Sequence, residues 1–390
     1  MAVSQAIETG KFQTAKVAVI SGGHSIQDTY QAFLPALLPV LIEKFSLTKT
    51  EAGLLSVFTN APSLLQPLIG YLADRVSLRI LVILAPAVTA LIMSFLGIAP
   101  SYLVAAVLLV VAGLSSASIH AVGPVIAGRL SANRLGMGMS FWMVGGELGR
   151  TFGPIIIVSA ISYLKPEGSP WLAIGGILTS LILYVHLRNT PDRPSNGPSN
   201  IPWRAALKSM RKVLIPVTGI VLTRAFAYVS VSTYLPTFMT ERGAGLILAG
   251  GSLSVMEAAG VAGAFLGGVI SDRLGRRPVL AAALVLTSAF LFIFLNAGGW
   301  LLFPILLLLG FTLLSTAPVV MATVQESFPE NRALVNGVYM AINFVLSSLV
   351  TVLVGRIGDL YSLSTAYTIS ALLILGGLPF VFMLPKTNGR

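Results

Sequence analysis

The 390-residue chain is expected to be an all-α membrane protein of twelve transmembrane helices in two parallel six-helix repeats, and three features of the sequence predict this. Its residues are 55% hydrophobic and only 10% charged, with a mean hydropathy of +0.87, whereas about a quarter of an ordinary soluble domain is charged. The apolar residues gather into twelve stretches, six on either side of one polar segment. The loop GYLADR recurs as GVISDR at a fixed offset, which marks an internal duplication.

Crossing about 30 Å of hydrocarbon takes about 20 residues of helix, and each stretch is long enough. The first, 17–42, carries His24, Asp28 and Gln31 and runs into FLPALLP. It lacks a small-residue cleavage site and is expected to be a retained span. The second, 51–74, ends in GYLADR, and the third covers 79–99. The fourth, 101–130, contains SSASIHAVGP, the fifth, 135–164, contains MVGGELGRTFGP, and the sixth covers 168–188. NTPDRPSNGPSN follows, whose Pro, Ser, Asn and Gly cannot pack a core. It places a linker at 189–211 between an amino-terminal bundle, 1–188, and a carboxy-terminal one, 212–390. The second set runs 212–241, 244–273, 278–297, 299–328, 332–358 and 363–385, with Arg224 in its first span and Glu257 in its second.

The duplication rests on five identities at an offset of 198 residues: Gly70, Asp74 and Arg75 recur as Gly268, Asp272 and Arg273, and Asn133-Arg134 as Asn331-Arg332. Six spans per half give both copies one orientation, related by an axis along the membrane normal. The charges agree. The termini and the loops after even-numbered spans hold eighteen Lys and Arg, the opposite side five, and Arg150 and Arg224 lie inside spans. The positive-inside rule then puts both termini in the cytoplasm. The net charge of +11 is thus topological and calls for no nucleic-acid partner. No cysteine is present, which excludes disulfides, thiolate metal sites and thiol nucleophiles.

Gly268-x3-Asp272-Arg273-x-Gly275-Arg276-Arg277, with its weaker copy at Gly70, Asp74, Arg75 and Arg79, resembles the loop signature of the major facilitator superfamily. The resemblance spans the chain and implies the major facilitator fold, alternating access around a midplane site, and a monomer. A narrower likeness, carried by His24-x3-Asp28 with FLPALLP, SSASIHAVGP and MVGGELGRTFGP, is to the fosmidomycin-resistance branch of drug exporters. The arginine that many proton-coupled exporters of the superfamily carry early in the fourth helix has no counterpart in VLLVVAGLSSAS.

Charges inside the hydrocarbon mark function best, because each costs about 2.5–3.5 kcal/mol or more to insert. His24 and Asp28 lie one turn apart on a face that Gln31 continues, so the pair can trade a proton; the plainer reading is that His24 neutralises Asp28. Glu147 and Arg150, three apart, are either a fixed local ion pair or, with Arg150 released, a fork for a phosphonate or carboxylate. Arg224 and Glu257 either bridge one another or face a cavity. The proton-coupling candidates are therefore Asp28, His24, Glu147 and Glu257. The substrate-binding candidates are Arg150, Arg224, His120, Gln31, Tyr30 and Trp142, although aromatic residues in such spans are more often packing or interfacial anchors than ligand contacts. No metal is expected, because the three histidines fall in three spans and no cysteine completes a tetrahedral site.

Asp74 with Arg75, Asp272 with Arg273 and Arg276, and Glu326 with Arg332 are the expected cytoplasmic gate, against the alternative that they only set topology. Gly145, Gly149 and Gly153 at four-residue spacing cut a groove for a neighbouring backbone. Together these features predict an inner-membrane, proton-coupled secondary transporter that exports a small amphipathic or anionic compound, with no cofactor and no enzymatic activity. Its partners would be the small-molecule substrate, protons and the lipid bilayer. A proton-coupled importer of an organic anion is the alternative; an intramembrane enzyme or a ligand sensor finds less support in the sequence.

Overall fold

The computed structural model describes residues 12–73, 76–132, 134–190, 203–328 and 332–385. Among these residues the secondary structure is entirely helical, the arrangement that satisfies every backbone polar group inside a bilayer without outside partners. Nine of the helical segments are long and apolar enough by themselves to cross a membrane, and one of them, Met137–Leu187, contains the fifth and sixth spans together. The first two spans are missing from that set because each is broken, and they complete the twelve.

Proline sets the breaks. The first span is Thr14–Gln31 followed by Phe33–Phe45; Pro35 cannot donate to the carbonyl of Gln31 and its ring crowds that turn, so the helix is interrupted at Ala32. The second is Lys49–Asn60, a tight turn at Ala61–Leu65 carrying Pro62, and Gln66–Ala73. Leu135–Gly168 holds the fifth span, and its helical dihedrals fail at Lys165, where φ is 60° and ψ 168°. Lys165 precedes Pro166, which disfavours the helical conformation for the residue before it, so the fifth span ends there and the sixth, Ala173–Leu187, begins beyond the turn. The third and fourth spans are Arg79–Phe95 and Tyr102–Leu130.

The remaining spans are Trp203–Glu241, Leu246–Leu274, Arg276–Asn296, Leu302–Ser327, Arg332–Leu360, and a twelfth that runs from Leu363–Leu373 through a tight turn to Leu378–Met383. Between the eighth and ninth spans stands Gly275 at φ 90° and ψ 155°, a conformation closed to residues with a Cβ. That geometry explains Gly275 in the second copy of the loop signature; the first copy has Ser77 at the matching position.

The chain divides into two compact units. One gathers the described residues up to Leu37 and from Phe58 to Thr190; the other gathers Leu38–Val57 and the described residues from Trp203 onward. In the first unit Gly145, Gly149 and Gly153 lie against the carbonyl oxygens of Ser21, Ser25 and Thr29, where any Cβ would collide. The expected groove is real, and the first span fills it. In the second unit Phe238, Phe294 and Tyr367 stack at the core. There the helix of Lys49–Asn60 starts against Asp359, whose carboxylate accepts from the backbone amides of Lys49 at 2.6 Å and Thr50 at 2.9 Å and from the Thr50 hydroxyl. Lys49 Nζ pairs with Glu241 at 2.9 Å. The fourth span turns Leu103, Val107, Val111 and Leu114 outward at helical spacing, an apolar stripe suited to lipid and not to water.

Candidate functional site

The first unit brings the first, fourth and fifth spans together around three ionisable side chains. His24 and Asp28, each 4% exposed, stand one turn apart, with His24 Nε2 3.4 Å from Asp28 Oδ2. From the fourth span His120 completes the cluster, its Nε2 3.1 Å from His24 Nε2 and 3.5 Å from Asp28 Oδ1. Ninety-six positions separate the two histidines in sequence, and the close approach of the spans removes that separation. His120 retains 33% of its side-chain exposure, so the cluster opens on one side.

The backbone determines the tautomers. His24 Nδ1 lies 2.9 Å from the carbonyl oxygen of Trp142, and His120 Nδ1 lies 2.8 Å from the carbonyl oxygen of Ser116. A carbonyl only accepts, so each Nδ1 carries the proton and donates it. Both Nε2 atoms are then left with lone pairs, and those lone pairs face each other and the Asp28 carboxylate. Such an arrangement is stable only with a positive centre among them, because opposed lone pairs at hydrogen-bond distance repel unless a proton lies between them.

Packing holds this geometry. The Trp142 ring stacks on His24 with centroids 3.9 Å apart and planes 10° from parallel. It rests in turn on Gly123, where a Cβ would enter the indole. Gly146 leaves the space beside the pair: a Cβ there would sit 2.6 Å from His24 Cε1 and 3.0 Å from Asp28 Oδ2. One turn further along the first span, Gln27 donates to Thr89 Oγ1 at 2.8 Å, Thr89 to Ser115 at 3.0 Å, and Ser115 to the Ala85 carbonyl at 3.1 Å.

Glu147 and Arg150 form the local ion pair that their spacing predicts, and Arg150 keeps 37% of its side-chain exposure. Gln31 donates to the Ala112 carbonyl at 3.2 Å. The Tyr30 hydroxyl donates to the Leu172 carbonyl, which ties that ring to the turn before the sixth span. Trp142, 4% exposed, is occupied by His24.

In the second unit Arg224 is 6% exposed and Glu257 5% exposed. The Arg224 guanidinium lies 5.2 Å from the centroid of Tyr228, a cation–π contact that partly compensates its desolvation. At the loop between the eighth and ninth spans Arg276 meets Asp272 at 2.6 Å and Glu326, from the end of the tenth span, also at 2.6 Å, and it donates to Ser271 Oγ. Of the expected gate, Asp272, Arg276 and Glu326 are thus joined, with Arg273 beside them. Asp74 and Arg75 lie outside the described residues, as does the side chain of Arg332.

Sequence reasoning did not find the roles of Trp142 and Gln27. Gln27 carried a signal: a polar side chain in an apolar span, three residues after His24 and on its face. Trp142 carried none, because it acts through its backbone carbonyl and through a ring contact that only the fold creates.

The family model of the Major Facilitator Superfamily matches residues 21–351 and 253–389. The chain is 25% identical over 380 residues to the fosmidomycin resistance protein of Escherichia coli (strain K12), covering 94% of this chain and 92% of that protein. It is also 25% identical over 375 residues to an uncharacterized MFS-type transporter of Bacillus subtilis (strain 168), covering 93% and 91%. Among solved structures, a D-xylose-proton symporter matches with a TM-score of 0.74 at 17% identity, over 97% of this chain and 99% of that one.

Proposed function

The chain belongs to the major facilitator superfamily and is a multi-pass membrane transporter of small molecules, not an enzyme; on that premise we propose that it exports a small amphipathic or anionic compound in exchange for protons. The observation that carries this reading is the pair of opposed imidazole Nε2 atoms, 3.1 Å apart over the Asp28 carboxylate. With both Nδ1 atoms committed to carbonyls, the cluster holds a proton in its resting form and releases it when another charge or a shift of the spans changes the balance. A positive charge buried at membrane depth is expensive without such a partner set.

Arg150 and Arg224 are each candidate cations for an anionic group, since a planar guanidinium suits a phosphonate or carboxylate. The Glu147–Arg150 pair is the switch on the substrate side: an incoming anion replaces Glu147 as the partner of Arg150. Proton and substrate thus stabilise different pairings of the same few charges. Each shifts the conformational equilibrium of an alternating-access cycle only by its differential affinity for the two states. Export of a phosphonate-type compound is supported by the likeness to the fosmidomycin resistance protein. An inner-membrane location with both termini cytoplasmic is supported by the eighteen-to-five distribution of Lys and Arg. Glu257 is the second-unit candidate for a proton, and the Asp272–Arg276–Glu326 cluster for the cytoplasmic gate. The working unit is taken as a monomer.

The test is accumulation of a radiolabelled phosphonate by inside-out vesicles energised with a proton gradient. Uptake that collapses with a protonophore and is lost in Asp28→Asn is the expected result. Uptake indifferent to the gradient, or retained in full by Asp28→Asn at every pH, overturns the proposal.

A further inference from the structure

Three lone-pair donors converge where the first and fourth spans meet: Nε2 of His24, Nε2 of His120 and the Asp28 carboxylate, all within 4.8 Å of one another. We propose that this cluster is a binding site for a divalent transition-metal cation of the zinc class, held by His24, His120 and Asp28. Zinc bonds of about 2.0–2.1 Å to nitrogen place tetrahedral ligands about 3.3–3.4 Å apart. The edges here are 3.1 Å between the two nitrogens, 3.4 Å from His24 to Oδ2 and 3.5 Å from His120 to Oδ1. The nitrogen–nitrogen edge fits such a shell; the carboxylate presents a different oxygen to each nitrogen, and with one ligand atom from each side chain lying within 4.8 Å of the others, turning the Asp28 carboxylate toward both nitrogens supplies the third corner.

A metal-bound imidazole characteristically donates its other nitrogen to a carbonyl or carboxylate, which fixes ring and tautomer. Both histidines do so here, His24 to Trp142 O at 2.9 Å and His120 to Ser116 O at 2.8 Å. One acceptor is also left unsatisfied. Asp28 Oδ1 is buried and makes no hydrogen bond, and a buried carboxylate oxygen without a donor calls for a cation. The other charges near the cluster, Glu147 and Arg150, pair with one another. They leave a net negative charge on Asp28 for the metal. His120, one third exposed, provides the open side and a fourth position for water. The expectation of no metal rested on the histidines falling in different spans; for His24 and His120 the fold cancels that argument. The proposal stands apart from the transport reading: metal and proton are alternative occupants of one lone-pair pocket, and either can bind whether or not export follows.

The experiment is calorimetric titration of Zn2+ into the purified full-length chain in detergent, isolated without a histidine tag, alongside the visible spectrum of the Co2+ form. One Zn2+ per chain is expected, together with the intense bands of tetrahedral Co2+. Binding should disappear in His120→Gln and in Asp28→Asn. It should persist in His186→Gln, which removes the remaining histidine, an exposed one. The Co2+ spectrum of the unmutated chain reads the ligand set even if a variant fails to fold. Absence of stoichiometric binding, a weak octahedral Co2+ spectrum, or binding retained by folded His120→Gln overturns the proposal. No gradient or substrate enters the measurement, so its failure is distinct from a failure of transport.

Discussion

Replacing Gly149 with alanine should damage both stability and proton coupling through a packing shift of the first span. Gly149 lies directly on the Ser25 carbonyl, and an added methyl would also stand 2.8 Å from Thr29 N and 2.9 Å from Asp28 Cβ. Carbon needs about 3.5 Å or more from such neighbours, and the obstacle is backbone, which cannot rotate away. The first span must therefore retreat by about 1 Å, at the 1–3 kcal/mol typical of overpacking. His24 and Asp28 retreat with it, and the 2.9 Å bond from His24 to Trp142 O, made by the same fifth helix, stretches beyond hydrogen-bonding range. His24 then loses the contact that holds its Nε2 towards His120. Thermal unfolding in detergent should show a lowered midpoint, and proteoliposomes should show substrate binding with weakened proton release. A Gly149→Ala protein with the melting temperature and proton flux of the parent would refute the reasoning, because it would mean that the contact with Ser25 does not position the site.

Other changes test separate parts of the structure. Gly275→Ala places a Cβ at φ 90° and should cost about 1–3 kcal/mol, read as a lowered unfolding midpoint. Asp359→Ala removes the acceptor for two amides and a hydroxyl at the start of Lys49–Asn60 and should cost about 0.5–2 kcal/mol in the same assay, with Asp359→Asn milder. Trp142→Phe keeps the carbonyl that fixes His24 but reduces the stacked ring, so it should retain coupling, whereas Gly123→Leu, which pushes the indole off His24, should abolish it in the proton-flux assay. His120→Gln should leave a chain that still binds substrate, measured by scintillation proximity, but releases fewer protons per substrate bound, because one of the two opposed Nε2 atoms is gone.

The fold was legible because its determinants are local. Twelve apolar stretches and a repeated loop lie on the surface of the sequence, whereas the breaks in the first, second and fifth spans do not follow from proline alone, because Pro86, Pro124 and Pro318 sit inside continuous helices. The glycine groove could be read from spacing alone, since three glycines four apart have one use in a membrane helix. The Glu147–Arg150 pair was legible for the same reason. What sequence does not carry is the contact between distant spans. His120 gave no sign that it would meet His24 and Asp28, and Trp142 gave none that its carbonyl would choose the tautomer. Nor could Asp359 be assigned to the helix that begins at Lys49, because a cap contributed from 310 positions away leaves no mark on either segment.

The central claim is that the His24–Asp28–His120 cluster carries an exchangeable proton coupled to substrate. Its most direct test is lumenal pH in proteoliposomes under an imposed gradient, recorded while phosphonates, organic anions and cationic drugs are added in turn to the parent and to Asp28→Asn. A substrate-triggered proton flux in the parent that vanishes in the variant is the predicted result. A flux of undiminished size in Asp28→Asn, or transport of a bound compound with no movement of protons, would contradict the account.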